Sequence, residues 1–480
     1  MNIKENLTML IDFYEFTMSN GYFSCGFKDK IAYFDMFFRK VPDDGGFAIM
    51  AGLEQVIEYI ENLKFSEDDI KFLESKKIFN NEFLDYLRNF KFSCDVWAIP
   101  EGTVIFPGEP IVTVRGPIIQ AQLIETMVLL IINHQSMIAT KSNRVVRAAQ
   151  GRKVMEFGSR RAQGAHGAVY GARAAYIGGC IGTACTLSDI KFKVPALGTM
   201  AHSFIQLFEN EEEAFRVYAR QYPEDCMLLV DTYNTLKSGV PNAIKVFNEE
   251  IVARGFRPKG IRIDSGDITY LSKKARKMLD DAGFSDCKIC ASNSLDEYII
   301  RDMIIQGAKV DTFGVGERLI TCYSSPVFGG VYKLVAVEEG DDIIPKIKVS
   351  ENVSKITNPC FKDLFRLYDR DTNKAIADII TINGEMIDDS KPYEIFDPEY
   401  TWKRKVIENF KAVRLRKKIF DNGKKCYDTP ALIDIKRYCS LQVDTLWDEI
   451  KRFENPHKYY VDLSYKLWKV KQDMLSKNKF

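Results

Sequence analysis

Between Arg152 and Lys333, six short apolar segments alternate with amphipathic helical ones, and this alternation constrains the fold more than any other feature. The apolar segments are KVMEFG, PALGTM, CMLLVD, GIRID, CKICAS and VDTFGVG. The helical ones include NEEEAFRVYARQY, NAIKVFNEEIVARG, LSKKARKMLDDAG and LDEYIIRDMIIQG, several of which run up to a glycine, as helix C-termini do. Strands that are apolar along nearly their whole length are buried on both faces. That is the condition of a parallel sheet covered by its own crossover helices. The fold class is therefore α/β. Six such units in a row favour a closed or partly closed barrel over a doubly wound sheet, although periodicity does not separate the two.

The flanks differ. A chain of 480 residues has room for two or three domains. Its first hundred residues mix helical stretches such as GLEQVIEYIENL with short strands, and Trp97–Pro117 reads as strand, turn and strand. A long helical stretch then covers about Ile118 to Ala149. After Val337 a charged connector, EEGDDIIPKIK, leads into mixed segments and a basic tail. Within that tail, Trp402–Lys418 is predicted as an amphipathic surface helix rather than a phosphate-binding face.

A net charge of +1 gives no reason to expect nucleic acid or a membrane surface as partner, and leaves anionic small molecules open. No secretory pattern opens the chain, and the longest apolar run, MVLLII, is too short to cross a bilayer. The eleven cysteines form no disulfide framework, which points to a reducing cytoplasm. CKIC has no second ligand pair at zinc-site distance and reads as two core cysteines, so no protein metal site is expected.

Chemistry collects where the strands end. The junctions read EFGSRRAQG, GTMAHS, VDTYNT, RIDSGD, ASNSLDE and GVGERL, and in a parallel barrel they meet on one face. Gly314 and Gly316 would let backbone N–H groups approach an anion. Ser292–Ser294 precede a helix, so their side chains would cap it while their N–H groups face a phosphate. Asp264 and Asp267 flank a Ser-Gly turn and suit ribose hydroxyls or substrate-bound Mg²⁺. Arg262 shares a strand face with Asp264, where a buried ion pair is the alternative reading. Arg160 and Arg161 suit a carboxylate or phosphate. His202 is one of four histidines in the chain, and it sits at a strand end beside Thr199 with Asp231 nearby in the ring. With no second His or Cys grouped with it, it reads as a base or nucleophile rather than a metal ligand.

Together these strings resemble the nicotinate phosphoribosyltransferase family. The resemblance extends to DFYEFTMSNGYF, FFRKVPDDGGFAIMAGLEQV, PEGTVIFPGEPIVTVRGP, IATKSNR, GGVYKLVAV and ENPHKYYVDLSYKLWKVK, so it covers nearly the whole chain. It implies an irregular, TIM-like α/β barrel over about 119–338, a smaller mixed α+β N-terminal domain over 1–118, and a C-terminal extension over 339–480 packing on both. It also implies a cytoplasmic homodimer with shared active sites. The activity implied joins nicotinate to 5-phosphoribosyl 1-diphosphate (PRPP), giving nicotinate mononucleotide and pyrophosphate in NAD salvage. ATP hydrolysis and Mg²⁺ accompany it, and the enzyme type is a ligase forming C–N bonds.

By position, His202 matches the family's phosphohistidine, with Asp231 as the candidate carboxylate orienting it. Tyr14 matches a tyrosine that stacks on nicotinate from the partner subunit. Arg160, Thr199 and Arg262 match residues around nicotinate and the ribose phosphate. Asp264 and Asp267 fall to the ribose and Mg²⁺-PRPP, while Ser292, Asn293, Gly314 and Gly316 fall to the 5-phosphate. Glu317 departs from the family's common Thr, and a carboxylate there must turn away or pair, for instance with Arg318. Ala201 stands where the related nicotinamide enzymes carry an acidic residue, which favours the acid substrate. The remaining alternatives are a nicotinamide enzyme and a non-catalytic member of the fold.

Overall fold

The computed structural model describes residues 6–352 and 355–477, and the chain divides into two compact units. One runs from Ile138 to Pro326; the other joins the residues up to Met137 with those from Val327 onward.

The Ile138–Pro326 unit is built on five parallel strands: β1 (Lys153–Glu156), β2 (Met227–Leu229), β3 (Gly260–Ile263), β4 (Lys288–Asn293) and β5 (Thr312–Val315). Their order across the sheet is β1-β5-β4-β3-β2. Two single parallel bridges extend it beyond β1, Glu156 with Thr183 and Thr183 with Ala196. The expected strand PALGTM is reduced to that last bridge. Pro195 has no N–H to give, Leu197 donates to Thr183, and the chain then leaves through Gly198.

Met155 of β1, Met227 of β2 and Cys290 of β4 belong to one apolar cluster, with Phe157, Ile181 and Leu197 packed on it. In a flat sheet, β1 and β2 at opposite edges would stand about 19 Å apart. A shared cluster therefore requires the sheet to curl strongly around these side chains. No hydrogen-bonded strand pair joins β2 to the Ala196 segment among the described residues.

The crossover helices follow the sequence pattern. Glu211–Gln221, Ile268–Asp281 and Glu297–Ile305 are helical, and Gly283 and Gly307 after the last two adopt φ +83° and +80°, which L side chains rarely do. Both cysteines of CKIC are buried, and burial pushes each thiol up to about 12.

The other unit carries a seven-stranded antiparallel sheet. Its central strands Ile31–Phe38, Val112–Pro117 and Asp95–Ala98 are joined by Gly330–Glu339 on one side and Lys417–Asp421 on the other. A four-stranded sheet of Phe410–Arg414, Lys362–Asp369, Ala375–Ile382 and Tyr460–Leu463 encloses a separate core including Phe365, Leu367, Ile379 and Phe410. The helix expected over Trp402–Lys418 is instead three strands: Arg404–Ile407, Phe410–Arg414 and the start of Lys417–Asp421. Val406, Ile407, Phe410 and Val413 favour extended backbone, and Asn409 at φ +49° makes the break between the first two strands. The run Ile118–Ala148 is long and apolar enough to cross a membrane by length and composition, but most of it is buried inside the protein.

Arg366 is wholly buried in this unit and forks onto Asp378 with bonds of 2.8 and 2.6 Å. It also donates to the Val104 carbonyl, while the Tyr459 hydroxyl donates to Asp378 at 2.8 Å. Burial and the Asp378 charge push the carboxyl of Glu109, 4.0 Å from Arg366, well up. Removing Asp378 takes away both short bonds from the buried Arg366 and leaves it only the more distant Glu109. Asp378→Ala is expected to lower the unfolding free energy by about 3–5 kcal/mol, read from the midpoint of urea denaturation.

Candidate active site

The carboxyl ends of β1–β5 gather most of the residues singled out in the sequence. His202 opens the short helix His202–Gln206, and its Nδ1 lies 3.0 Å from Thr232 Oγ1, just past β2. Its Nε2 faces Asp264 Oδ2 at 3.8 Å, with the two side chains 38% and 34% exposed. That separation exceeds a hydrogen bond and leaves the nitrogen open to solvent.

Asp231 is not the carboxylate beside the imidazole. Its Oδ2 accepts from the Asp264 N–H at 2.9 Å and from Ser265 Oγ at 2.5 Å, which ties the β2 end to the β3 end. Its Oδ1 is buried and has no hydrogen-bond partner. Asp264 in turn accepts from Ser292 Oγ at the end of β4. A chain of side chains thus links three neighbouring strand ends to His202.

Arg262 does not pair with Asp264. Its Nη1 donates to Thr199 Oγ1 at 2.6 Å, and its buried Nε–H has no partner. A guanidinium left with an unused buried donor suits an incoming anion.

Asn293 ends β4 with φ +134°, a backbone conformation rare for a residue with a side chain. Its Oδ1 accepts from the Ser294 N–H. The helix that follows is capped by Asp296, which accepts from the N–H groups of Tyr298 and Ile299, and not by the serines. Glu317 accepts from Ser294 Oγ at 2.7 Å and pairs with Arg161 at 3.3 Å, while Arg318 pairs with Asp296. The carboxylate is thus neutralised by Arg161 rather than Arg318.

Other residues stand apart. Gly314 lies inside β5, where an added Cβ would fall 2.5 Å from the Phe157 ring, so its missing side chain makes room for packing. Gly316 sits after the strand end and precedes Glu317. Asp267 caps the helix Ile268–Asp281 through the Tyr270 N–H. Arg160 is exposed with no ion pair among the described residues. Tyr14 belongs to the other unit, on the helix Phe13–Ser24, where it is half-exposed. Sequence reasoning passed over Thr232 and Ser265, although both follow a strand-end aspartate directly, in VDT and IDS.

Three family models match the chain in order. The nicotinate phosphoribosyltransferase (NAPRTase) N-terminal domain covers residues 9–133, the NAPRTase family 152–343, and the NAPRTase C-terminal domain 361–471. The nicotinate phosphoribosyltransferase of Bacillus subtilis is 42% identical over 98% of this chain and 96% of its own. The chain belongs to the nicotinate phosphoribosyltransferase family. The Dictyostelium discoideum relative of the same name is 34% identical over 96% of this chain and 87% of its own. The crystal structure of human nicotinic acid phosphoribosyltransferase superposes with a TM-score of 0.85 at 27% identity, covering 97% of this chain and all of that one. A nicotinate-nucleotide pyrophosphorylase from Pyrococcus furiosus shares the fold, with a TM-score of 0.70 at 22% identity.

In this family member the surroundings of Tyr14 are acidic. Its phenol is pushed up by burial and by Glu125, to which it hydrogen-bonds. The adjoining Glu15 is fully buried, accepts from Thr126 Oγ1 and leaves Oε2 without a partner. Burial pushes its carboxyl from an ordinary 4.5 to about 8, so the folded protein holds a proton the unfolded chain has lost across that interval. The stabilisation is full below the lower value and is lost as pH climbs through the upper one. Glu15→Gln is expected to flatten the fall in unfolding free energy between about pH 5 and about pH 8, measured by urea denaturation at both.

Proposed function

We propose that this chain joins nicotinate to PRPP, forming nicotinate mononucleotide and pyrophosphate, and couples that reaction to ATP hydrolysis through a phosphohistidine at His202. The observation that carries the reading is the imidazole itself. One nitrogen is held by Thr232 and the other is exposed at the strand ends beside Asp264. With Nδ1–H donating to Thr232, the Nε2 lone pair is free to attack the γ-phosphorus of ATP. The N–P bond forms as the bond to the bridging oxygen breaks, and ADP leaves. Water later takes the phosphoryl group, releasing phosphate and restoring Nε2.

In the transfer step the ring nitrogen of nicotinate bonds to C1 of the ribose as pyrophosphate departs. Arg262 and Thr199 hold the nicotinate carboxylate, and the unpartnered Arg262 Nε supports that role. A neutral amide would leave the guanidinium without its counter-charge, so nicotinate is the better substrate. Asp264, fixed by Asp231 and Ser292, accepts from the ribose hydroxyls. Ser292, Asn293 and the backbone at Gly316 receive the 5-phosphate, with Arg160 and Arg161 nearby in sequence at the β1 end. Tyr14 comes to the nicotinate ring from a second copy in a homodimer.

The oxygen donors of Asp264 and Asp267 are few and partly exposed, which fits Mg²⁺ arriving on PRPP better than a dedicated cage. Bound that way, Mg²⁺ supplies neutralisation of the diphosphate leaving group.

Purified protein is expected to form nicotinate mononucleotide from nicotinate and PRPP, faster or in higher yield with ATP, and to lose the ATP effect in His202→Ala. Nicotinamide as the better substrate would overturn the assignment of Arg262, and no product from either base would overturn the activity. Arg262→Gln removes hydrogen bonds to a charged group, worth about 1.5–3 kcal/mol. The KM for nicotinate is therefore expected to rise roughly 10- to 150-fold in steady-state kinetics.

A further inference from the structure

The parallel array has a second opening, at the end opposite His202. A cavity of about 1140 Å³ is lined there by the residues that precede or begin the strands, and it deepens along the interior to Thr199. That exceeds the space a small ligand needs. Its deep wall is apolar, formed by Met155, Phe157, Leu197 and Met227.

The rim is charged, and the charges do not balance. Lys259 is paired with Asp225, Lys288 with Asp311 at 3.5 Å, and Arg276 with Asp280 at 2.8 Å. Arg152, Lys153 and Lys309 have no carboxylate partner among the described residues. These three come from adjoining segments. β1 and β5 are hydrogen-bonded neighbours with Lys153 opposite Thr312, and Arg152 Nε donates to the carbonyl of Val310, next to Lys309. The chain as a whole carries only +1, so this concentration does not reflect a generally basic surface. Three like charges on one rim repel one another, and an anion placed among them relieves that repulsion. Arg152 and the two lysines together offer the donors a phosphate group takes.

We propose that this opening is a second ligand site that takes a small organic phosphate, with its phosphate on Arg152, Lys153 and Lys309 and its apolar body in the throat lined by Met155 and Met227. The ammonium groups and the apolar wall each account for one part of such a molecule.

Phenyl phosphate is the probe, titrated calorimetrically into the full-length protein saturated with PRPP, which keeps the probe off the His202 end. The wild-type protein is expected to keep one saturable site. Lys153→Glu/Lys309→Glu is expected to bind about tenfold more weakly or worse. Both lysines are exposed, so the double variant is expected to fold and to form nicotinate mononucleotide at the wild-type rate, which reads the catalytic assignment separately. Lys153→Gln/Lys309→Gln, which adds no negative charge, is expected to fall between the two. Inorganic phosphate is expected to bind more weakly than phenyl phosphate because it cannot use the throat. Complete displacement of the probe by PRPP, equal binding to both double variants and wild type, or inorganic phosphate binding as tightly as phenyl phosphate would each overturn the proposal.

Discussion

The carboxylate of Asp264 is the point on which the candidate site turns. Its backbone N–H is held by Asp231, one oxygen accepts from Ser292, and the other faces His202. Asp231 and Ser292 stand at the ends of the strands on either side of β3, so the carboxylate is positioned by the register of the sheet and not by one loop alone. The arrangement depends on the β2-β3-β4 pairing of Leu229 with Arg262 and of Arg262 with Cys290. A shift of one residue in β3 would turn Arg262 to the opposite face and break its bond to Thr199. The apolar cluster with Met155, Met227 and Cys290 holds the flanking strands in register, because a shift of β2 or β4 would take Met227 or Cys290 out of the interior.

Much of this was legible in the sequence because it rests on period. Apolar strands bounded by glycines and polar junctions located β1–β5 and placed His202, Asp264, Ser292 and Arg262 at one end of them. Which side chain touches which was not legible, since that depends on distances across the sheet. Asp231 and Asp264 are equivalent in sequence terms, each an aspartate ending a strand. Only the pairing of β2 with β3 makes one a support and the other the group facing the imidazole. The packing at Gly314 was not legible for a similar reason. A glycine at a strand end looks like room for a ligand, and the space is taken by the Phe157 ring from the neighbouring strand segment. At Trp402–Lys418 the basic residues hid a β pattern, because lysines and arginines interrupting Val, Ile and Phe fit a helix face and an edge strand equally well.

The unit made from the two ends of the chain solves a different problem. Its seven-stranded sheet interleaves strands roughly 300 residues apart in sequence, as where Ile31–Phe38 pairs with Gly330–Glu339 or Asp95–Ala98 with Lys417–Asp421. Such pairings have high loop-closure entropy, and no local pattern predicts them. Buried ion pairs elsewhere in the unit, within the four-stranded sheet and between it and Ile31–Phe38, add selectivity. Asp35 from the first of these strands is met by Lys362 at 2.8 Å, both nearly inaccessible, and Arg366 is met by Asp378 and the Val104 carbonyl. A wrong pairing would bury one of these charges alone, which is far less favourable than leaving an apolar side chain misplaced.

The two ends of the parallel array also differ in the sign of their unbalanced charge, and that difference has a chemical consequence. At the His202 end, Asp231 and Asp264 lie within hydrogen-bond reach of one another's residues, and Glu317 stands close by with Arg161 as its counter-ion. Phosphates brought to such a place meet carboxylates first, so they are admitted only with cations of their own or in proportion to Arg262 and the exposed arginines. Under the proposed reaction, a metal travelling on the diphosphate would satisfy that requirement, and among the described residues no group of three or more His, Cys, Asp or Glu is placed to hold one. At the opposite end the excess cations need no such escort. An anion there is attracted directly, and its affinity should fall with added salt over the Debye range, whereas a metal-escorted substrate also depends on the concentration of the divalent ion. The same set of strands thereby presents two electrostatically distinct openings, and the direction in which the strands run decides which one carries the chemistry.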